Sequence, residues 1–352
     1  MNMKKMLALL LALVMVLSLA ACGPKDEDKS TDDVSNSDVQ EPTTIKIGMV
    51  TDVGGVNDQS FNQGAWEGLQ DLASKNSNFD VKYLESATDA DYAANIQNFL
   101  DEEYDLIICV GFMLADATRE AAMANPDQKF AIVDDATNAD LDNVACLMFS
   151  QEQASYLVGI VAGMMTETNN VGYVQGMVSD NMNLFGIGYV SGVKSVNPDI
   201  TIQQYNANSF GDAAVGSTAA VDMVTKGADV IYHAAGGTGG GVISACQQEG
   251  IYAIGVDSDQ SHLAPETVIT SAMKRVDVAC QDICLAVLND EFTGGVHQYD
   301  LSNNGVGIAP TQDLLPEEVI DAVNDAMTKI GSGEIKVPTT VAECPEFTLA
   351  NA

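Results

Sequence analysis

The chain has 352 residues, which is enough for two domains with hydrophobic cores. It contains 50 acidic and 15 basic residues, a formal charge of −35, and 46% of its residues are hydrophobic, as in globular proteins. Only two of the basic residues are arginines, Arg119 and Arg275. Because polyanions and anionic lipids are bound through Lys and Arg, this composition excludes a nucleic-acid-binding protein and a peripheral protein that binds lipid through basic patches.

Residues 1–21 have the pattern of an export signal. Two lysines precede an apolar run over residues 6–16, and small residues follow in Leu19-Ala20-Ala21-Cys22. The run is shorter than the roughly 20 residues of a membrane-spanning helix, which disfavours an uncleaved anchor. The last four residues resemble the bacterial lipobox, whose cysteine becomes the lipidated N-terminus. We therefore expect Cys22 to hold the protein in the lipid bilayer, on the outer face of a bacterial cell membrane.

Residues 22–44 form an acidic stretch rich in Ser and Thr that has no apolar periodicity. This composition predicts a solvated tether between the lipid and the folded body. We prefer the tether to a metal-binding role for these acidic residues.

Strand-like and helix-like segments alternate from residue 45 onward. Predicted strands cover residues 45–50, 81–86, 104–111, 129–135 and 143–149, and predicted helices lie near 59–77, 89–102 and 113–125. The strands are apolar throughout, which indicates a parallel sheet that is covered on both faces.

The alternation restarts after a periodic helix at about residues 151–167. Predicted strands cover residues 170–176, 200–206, 228–237, 252–259 and 267–274, with helices near 184–196, 212–226 and 239–249. A further helix is predicted at residues 275–291, and another begins at Pro316 after the segment 306–310. The pattern predicts an α/β clamshell of two doubly wound lobes.

The predicted lobes share the chain unevenly. We assign residues 45–150 and about 275–305 to the N-terminal lobe, residues 151–274 and about 306–338 to the C-terminal lobe, and 339–352 to a tail. The chain then crosses between the lobes near residues 150, 275 and 305, where we expect the hinges.

The chain has six cysteines in addition to Cys22, and in an exported protein that number is typical of disulfide bonds. Cys109 and Cys146 lie in apolar, strand-like runs, and Cys280 and Cys284 share a helical face that could hold part of a zinc site. No second pair with ligand spacing follows, and the three histidines are scattered. Buried free thiols are the favoured interpretation, and we expect neither a metal nor a cofactor.

Polar and aromatic residues gather at the predicted strand ends, where ligands bind in this architecture. They are Asp52, Ser60, Phe61, Asn62, Asp134, Asp135, Phe210, Gly236–Gly241, Asp257, Lys274 and Arg275. Each has a structural alternative: the phenylalanines as hydrophobic staples, the aspartates as helix N-caps and the glycines as a tight turn. No dinucleotide, P-loop, zinc-protease or serine-hydrolase motif occurs, so nothing favours catalysis.

Several motifs together resemble the basic membrane protein lipoproteins. They are GGVNDQSFNQGAWEGL, EQASYLVGIVAG, GADVIYHAAGGTGGGVISACQQEGIYAIGVDSDQ and VITSAMKRVDVA, and the similarity extends over about residues 45–338. The resemblance implies the type I periplasmic-binding-protein clamshell with three crossovers, and the substrate-binding component of an ABC importer. It implies purine nucleosides (inosine, guanosine or adenosine) as ligands, an ABC permease as partner, and a monomer.

The resemblance also implies roles for individual residues. Phe61 and Phe210 would sandwich the base, and Asp52 and Asp134 would accept hydrogen bonds from its edge. We choose Asp134 over Asp135 because it ends its strand directly.

Asp257 and Lys274 would hold the ribose hydroxyls, and the backbone of Gly236 and Gly237 would approach the sugar. Ser60 and Asn62, beside Phe61, complete the candidate site. Asp58 receives no role.

The chemistry of these residue types suits a nucleoside. Aromatic rings stack on the faces of a base, and a carboxylate accepts from vicinal hydroxyls. We expect Asp257 and Lys274 to keep each other ionised by mutual attraction. Three carboxylates, those of Asp52, Asp134 and Asp257, against one ammonium should repel phosphate, which predicts nucleosides over nucleotides.

Other functions remain open from the residues alone. A sugar or another small molecule could bind on the same fold, since Phe61 and Phe210 also suit a pyranose face. A surface receptor or adhesin would need an exposed patch and no aromatic-lined cleft. An enzyme such as a nucleoside hydrolase is the least favoured, because no nucleophile, metal cluster or histidine follows these strands.

Overall fold

A computed structural model describes residues 44–351 of the chain. The predicted export signal, Cys22 and nearly all of the predicted tether lie outside these residues. No helix within the described part is long and apolar enough to span a bilayer.

The first part of the described chain alternates strands and helices. Its elements are β1 (Ile45–Val50), α1 (Phe61–Lys75), β2 (Phe79–Leu84), α2 (Tyr92–Asp101), β3 (Leu106–Val110), α3 (Ala115–Ala124), β4 (Lys129–Val133) and β5 (Val144–Phe149). These match the predicted segments, with ends that differ by at most three residues.

The alternation continues to the C-terminal helix. The next elements are α4 (Gln151–Met165), β6 (Asn170–Gln175), α5 (Asp180–Val196), β7 (Thr201–Asn206), α6 (Ala213–Thr225), β8 (Val230–Ala234), α7 (Gly236–Glu249), β9 (Tyr252–Asp257) and β10 (Val268–Lys274). The last elements are α8 (Val276–Leu288), β11 (Gly295–Tyr299), β12 (Val306–Ile308) and α9 (Glu317–Gly331).

The twelve strands of residues 44–351 form two six-stranded sheets with matching orders. One runs β11-β5-β4-β3-β1-β2 and the other β12-β10-β9-β8-β6-β7. All neighbours are parallel except β12, which runs antiparallel to β10. Each sheet with its helices is a lobe, and the chain crosses between the sheets after β5, after β10 and between β11 and β12.

Both faces of each sheet are buried, which explains the continuously apolar strands. On β3, Leu106, Ile108 and Val110 belong to one hydrophobic cluster, whereas Ile107 and Cys109 belong to another on the opposite face. Side chains alternate between the faces of a strand, so a strand that is covered on both sides must be apolar at every position.

Two local predictions from the sequence are wrong. The segment 228–237 does not stay extended, because β8 ends at Ala234 and α7 begins at Gly236. The glycines that suggest a turn lie in the first turns of a helix, where Gly239 and Gly241 pack against His233 and Ala213 without room for a side chain. Strand β11 was not predicted, since it is a short edge strand with alternating exposure.

The C-terminal residues pack against the second lobe. Phe347 is buried, and its ring lies 2.2 Å from the position that a Cβ on Gly186 of α5 would take. Gln204 of β7 bonds the backbone of Glu346 and Thr348 at 2.7 and 2.9 Å. These contacts cover the outer edge of the second sheet.

Candidate functional site

A cleft between the two lobes lies at the carboxyl ends of the strands of both sheets. Its empty volume, which includes the mouth, is about 470 Å³, within the usual size of ligand pockets. The structure brings eight of the ten predicted site residues to its walls: Asp52, Phe61, Asn62, Asp134, Phe210, Gly236, Asp257 and Lys274.

The other two predicted residues lie just behind these walls. Ser60 is buried, and its hydroxyl donates to Asp257 of the opposite lobe at 2.5 Å. Gly237 follows Gly236 in the first turn of α7, and a Cβ on it would lie 3.8 Å from the Cα atom of Asp58. Ser60 thus orients a cleft residue, and Gly237 lies where the lobes approach each other.

Phe61 and Phe210 reach the cleft from opposite lobes. Phe61 is the first residue of α1, and its ring lies 3.5 Å from the position of an added Cβ on Gly111, at the end of β3. Phe210 follows β7 and packs over Gly176, where a Cβ would come within 2.4 Å of the ring. Both side chains are half-buried against the core while they line the cleft.

A network of hydrogen bonds fixes the acidic side of the cleft in the first lobe. Asp52 Oδ1 accepts from Asn62 Nδ2 at 2.7 Å and from the Gly54 amide at 2.8 Å. Asp58 accepts from the amides of Ser60, Asn62 and Gln63 at the N-terminus of α1, at 2.8–3.1 Å. The partial positive charge of a helix N-terminus suits this carboxylate.

Burial changes the acidity of both carboxyl groups. Loss of water around Asp52 raises its pKa to about 6, although the bonds from Asn62 and Gly54 act in the opposite direction. Burial also raises the pKa of Asp58, although the hydrogen bonds from the three backbone amides act in the opposite direction. The cleft therefore holds two carboxyl groups that bind a proton more readily than in water.

Lys274 lies at the end of β10 and forms an ion pair across the cleft with Asp134, at the end of β4. Both side chains are almost fully buried. The ammonium also lies over the rings of Phe61, Phe149 and Phe185, at 4.7, 5.1 and 5.5 Å from their centroids. Lys274 is thus held by one carboxylate and three aromatic faces.

Asp257 does not have the partner that the sequence predicts. The ion-pair partner of Lys274 is Asp134, and Asp257 accepts instead from the Ser60 hydroxyl. Burial raises the pKa of Asp257 to about 6, because the attraction of Lys274 offsets only part of the lost hydration. The attraction of Lys274 thus favours the charged form of Asp257, as expected, but does not bring the pKa of this carboxyl group back to its ordinary value.

Asp134 and Asp257 share an unusual backbone conformation. Their φ angles are 68° and 64°, in the left-handed region that few residues other than Gly, Asn and Asp adopt. They end β4 and β9, which hold the same place in the order of their sheets. One Asp134 oxygen has no hydrogen-bond partner among the described residues and is available to a ligand.

Sequence reasoning missed several residues that line the cleft. They are Asp58, Gly111, Phe112, Met182, Phe185, Ala234, Ala235 and Val256. Phe112 could have been found from the sequence, since it comes two residues after β3 ends. In the structure, its ring lies edge-on to that of Phe210, with 6.4 Å between the ring centroids. Met182 and Phe185 lie on α5 among apolar residues that pack in the hydrophobic core. The sequence therefore does not distinguish these two cleft residues from core residues of the same helix.

The described residues offer no group of three or more His, Cys, Asp or Glu side chains that could hold a metal ion. The six cysteines within residues 44–351 are free and buried, as the sequence predicts. Cys280 and Cys284 lie inside α8 facing the core, where burial raises the thiol pKa values. Both thiols belong to the hydrophobic core.

Comparison with known proteins agrees with this geometry. Residues 45–341 match the family model described as ABC transporter substrate-binding protein PnrA-like. A Listeria innocua protein named CD4+ T-cell-stimulating antigen is 40% identical over 93% of this chain and 97% of its own. The ABC transporter nucleoside-binding protein BmpA of Lactococcus lactis is 37% identical over 94% of this chain and 97% of its own.

A solved structure confirms the fold. The solute-binding protein of an ABC transporter system from Aeropyrum pernix superposes with a TM-score of 0.78 at 28% identity, over 86% of this chain and 96% of its own. The type I clamshell and the expectation of a binding protein, not an enzyme, are both confirmed. The chain belongs to the PnrA-like family of ABC transporter substrate-binding proteins.

Proposed function

We propose that this protein captures a purine nucleoside in its cleft and delivers it to the permease of an ABC importer. The observation that carries the proposal is the approach of Phe61 and Phe210 from opposite lobes to one cleft lined by carboxylates. Stacking on aromatic rings is worth about 1–3 kcal/mol per base. The name of the Lactococcus lactis relative supports the ligand class.

The edge of the base would meet the acidic side of the cleft. Asp52 Oδ1 is occupied by Asn62 and Gly54, whereas Oδ2 lies toward Gly111 on the cleft wall. Purine N–H and amino groups donate hydrogen bonds, so Asp52 Oδ2 and the free oxygen of Asp134 are suited to accept them. Asn62 then serves to position Asp52.

The sugar would lie toward Asp257, Lys274 and the start of α7. Asp257 holds one bond from Ser60 and can accept ribose hydroxyls, and charge-assisted bonds of this kind are strong. Gly236 and Gly237 have no side chain that would keep the sugar from the backbone. An added phosphate would face Asp52, Asp58, Asp134 and Asp257 with only Lys274 to offset them, which disfavours nucleotides.

Binding would favour the closed arrangement of the lobes. A ligand that contacts both lobes stabilises the closed form by its differential affinity for it. We assign residues 45–150 and about 275–305 to one moving body and 151–274 and about 306–338 to the other. The hinges would then lie near residues 150, 275 and 305, and the closed form would be the one that docks on the permease.

We further propose that Cys22 is lipidated and anchors the chain on the outer face of the cell membrane. The support is the lipobox-like Leu19-Ala20-Ala21-Cys22 after a short apolar run. Expressed in a bacterial host, the full chain should incorporate a labelled fatty acid and sediment with membranes. Cys22→Ser should abolish the labelling, and unchanged labelling of this variant would contradict the anchor.

The test of the ligand class is a thermal-shift panel of inosine, guanosine, adenosine, free bases, monophosphates and monosaccharides. A ligand present at about 100 times its Kd stabilises the folded protein by roughly 2.7 kcal/mol. We expect a shift with at least one purine nucleoside and none with its monophosphate. A shift with monosaccharides and none with nucleosides would contradict the proposal and favour a sugar-binding protein.

A further inference from the structure

Residues 59–61 of the first lobe meet the second lobe directly behind the cleft. Phe61 lines the cleft, whereas Gln59 and Ser60 do not. The Gln59 carbonyl oxygen accepts from Gln260 Nε2 at 2.9 Å, and the Ser60 hydroxyl donates to Asp257. The segment that ends in one of the two cleft phenylalanines therefore also forms two hydrogen bonds with the opposite lobe.

The second lobe holds the Gln260 side chain in a fixed position. Gln260 begins a short 3₁₀ helix after β9 and is 1% exposed. Its Oε1 atom accepts from the Val256 amide at 2.9 Å, and its own amide donates to Ser271 Oγ at 3.1 Å. Gly255 leaves room for it, since a Cβ on Gly255 would lie 2.6 Å from Oε1. Contacts within the second lobe thus direct Nε2 toward the first.

The first lobe fixes the carbonyl group that accepts this bond. Gln59 has a φ angle of 56°, in the left-handed region that glutamine rarely adopts. Asp58 accepts from the amides of Ser60 and Gln63 at 2.9 and 3.1 Å, which fixes the turn into α1. A residue in a sparsely populated conformation is held there by its surroundings. Gln59 itself is exposed, so its backbone, and not its side chain, is what the second lobe contacts.

We infer that Gln260 is a positioning residue for ligand capture, which stabilises the closed arrangement of the lobes without touching the ligand. Gln260 does not line the cleft. Its Nε2 atom has its partner on the other lobe, so this hydrogen bond exists only while the lobes are together. The inference rests on the proposed function in one respect, namely that a bound ligand keeps the lobes closed.

A contact that acts through closure has a kinetic signature. It shifts the balance of open and closed forms toward the closed form, whichever ligand is bound. Affinity differences of this kind lie mostly in the dissociation rate. Loss of the Gln260 donor should therefore raise the dissociation rate by the same factor for every nucleoside. Loss of a residue that touches the base would instead change the ratio of affinities between nucleosides.

Two variants remove the donor by different means. Gln260→Glu keeps an oxygen for the Val256 amide but adds a charge, whereas Gln260→Met stays neutral but loses that oxygen. A loss that both variants share belongs to the Nε2 donor. Gln203→Glu is the matched control, because Gln203 Nε2 donates to Asn170 and to the Met223 carbonyl oxygen at 2.9 and 3.0 Å, both within the second lobe.

The experiment measures association and dissociation rates by surface plasmon resonance for inosine, guanosine and adenosine. For each nucleoside that the wild type binds, both Gln260 variants should raise the dissociation rate and Kd by about threefold or more, as for loss of one hydrogen bond. The association rate and the ratios of Kd between nucleosides should stay within about twofold of wild type. Isothermal titration calorimetry should give the wild-type stoichiometry, which a partly unfolded variant would not.

Three results would overturn the role of Gln260 and leave the proposed function standing. They are an unchanged dissociation rate in either folded Gln260 variant, a rise of the same size in Gln203→Glu, and altered ratios of Kd between nucleosides. Wild-type protein that binds none of the three nucleosides would contradict the proposed function itself. The same variants would then test Gln260 with the compound of the thermal-shift panel that does bind, because the expected rise in dissociation rate does not depend on the ligand.

Discussion

Asp52 shows how a buried carboxyl group in the cleft can lower the stability of the folded protein. Its Oδ1 atom accepts two hydrogen bonds, yet burial raises its pKa to about 6. A carboxyl group with a raised folded-state pKa is harder to ionise in the folded than in the unfolded chain. Its effect on stability is therefore unfavourable above pH 6 and fades as the pH falls toward 3.8.

Asp52→Asn should therefore stabilise the protein at pH 7. The amide oxygen can keep the bonds from Asn62 and Gly54, and the cost of burying the charge, about 1–3 kcal/mol, disappears. Urea unfolding should give a higher free energy of unfolding than wild type at pH 7 and an equal one near pH 4. Asp199→Asn, on an exposed residue before β7, should show no such pH-dependent difference. A variant that is less stable at pH 7 would contradict this account.

A candidate site residue could be predicted from the sequence where it lies at the end of a strand. Asp134 and Lys274 were found because they end apolar strands, where a polar residue marks the edge of the sheet. The ion-pair partner of Lys274 was not predictable, because Asp134 and Asp257 are both aspartates at strand ends. Only the arrangement of the two lobes decides which of them contacts the ammonium. Burial, which sets the pKa values, likewise depends on both lobes together.

Helices α4 and α5 pack with glycine against backbone. A Cβ on Gly192 would lie 2.1 Å from the Tyr156 carbonyl oxygen, and one on Gly188 would lie 2.2 Å from that of Glu152. Added atoms at such contacts force the two helices apart. These glycines could not be assigned from the sequence, because a helical pattern does not state which neighbour lies over each residue.

Gly192→Ala should lower the free energy of unfolding by about 1–3 kcal/mol, since the overpacking outweighs the gain in helix propensity. Gly240→Ala is the matched control, because its Cβ meets open space. It should raise the free energy of unfolding by about 0.5–1 kcal/mol. Chemical denaturation of both variants at one pH gives the comparison, and changes of the same sign would contradict the packing argument.

Most elements were predictable because strands buried on both faces are continuously apolar and amphipathic helices are periodic. The start of α7 was not, since Gly236–Gly241 has the composition of a turn. Those glycines are helical because Gly241 lies against the backbone of Ala213 and Gly239 against His233. Tertiary contact thus overrode local preference.

At the scale of the molecule, buried polar contacts join the lobes. Lys274 pairs with Asp134, Ser60 bonds Asp257, and Gln260 Nε2 donates to the Gln59 carbonyl oxygen at 2.9 Å. Removal of one partner of a buried ion pair leaves the other charge without compensation, whereas removal of both charges costs much less. The pair is therefore testable by a double-mutant cycle.

Lys274→Met should lower the free energy of unfolding by about 3–5 kcal/mol, because Asp134 then stays buried without a cation. The double variant Lys274→Met/Asp134→Asn should recover most of that loss. Urea denaturation of the single and double variants measures the coupling. Losses that simply add would show that the two side chains do not interact across the cleft.

The backbone at Asp134 and Asp257 accommodates one other side chain of the same shape. Each lines the cleft in a backbone conformation that asparagine adopts as readily as aspartate. A single base change in either codon would therefore convert an acceptor into a group that both donates and accepts, with the main chain left in place. At Asp257 this change would alter the hydrogen-bonding character of the cleft without moving the strand, whereas at Asp134 it would also leave the buried Lys274 without its carboxylate.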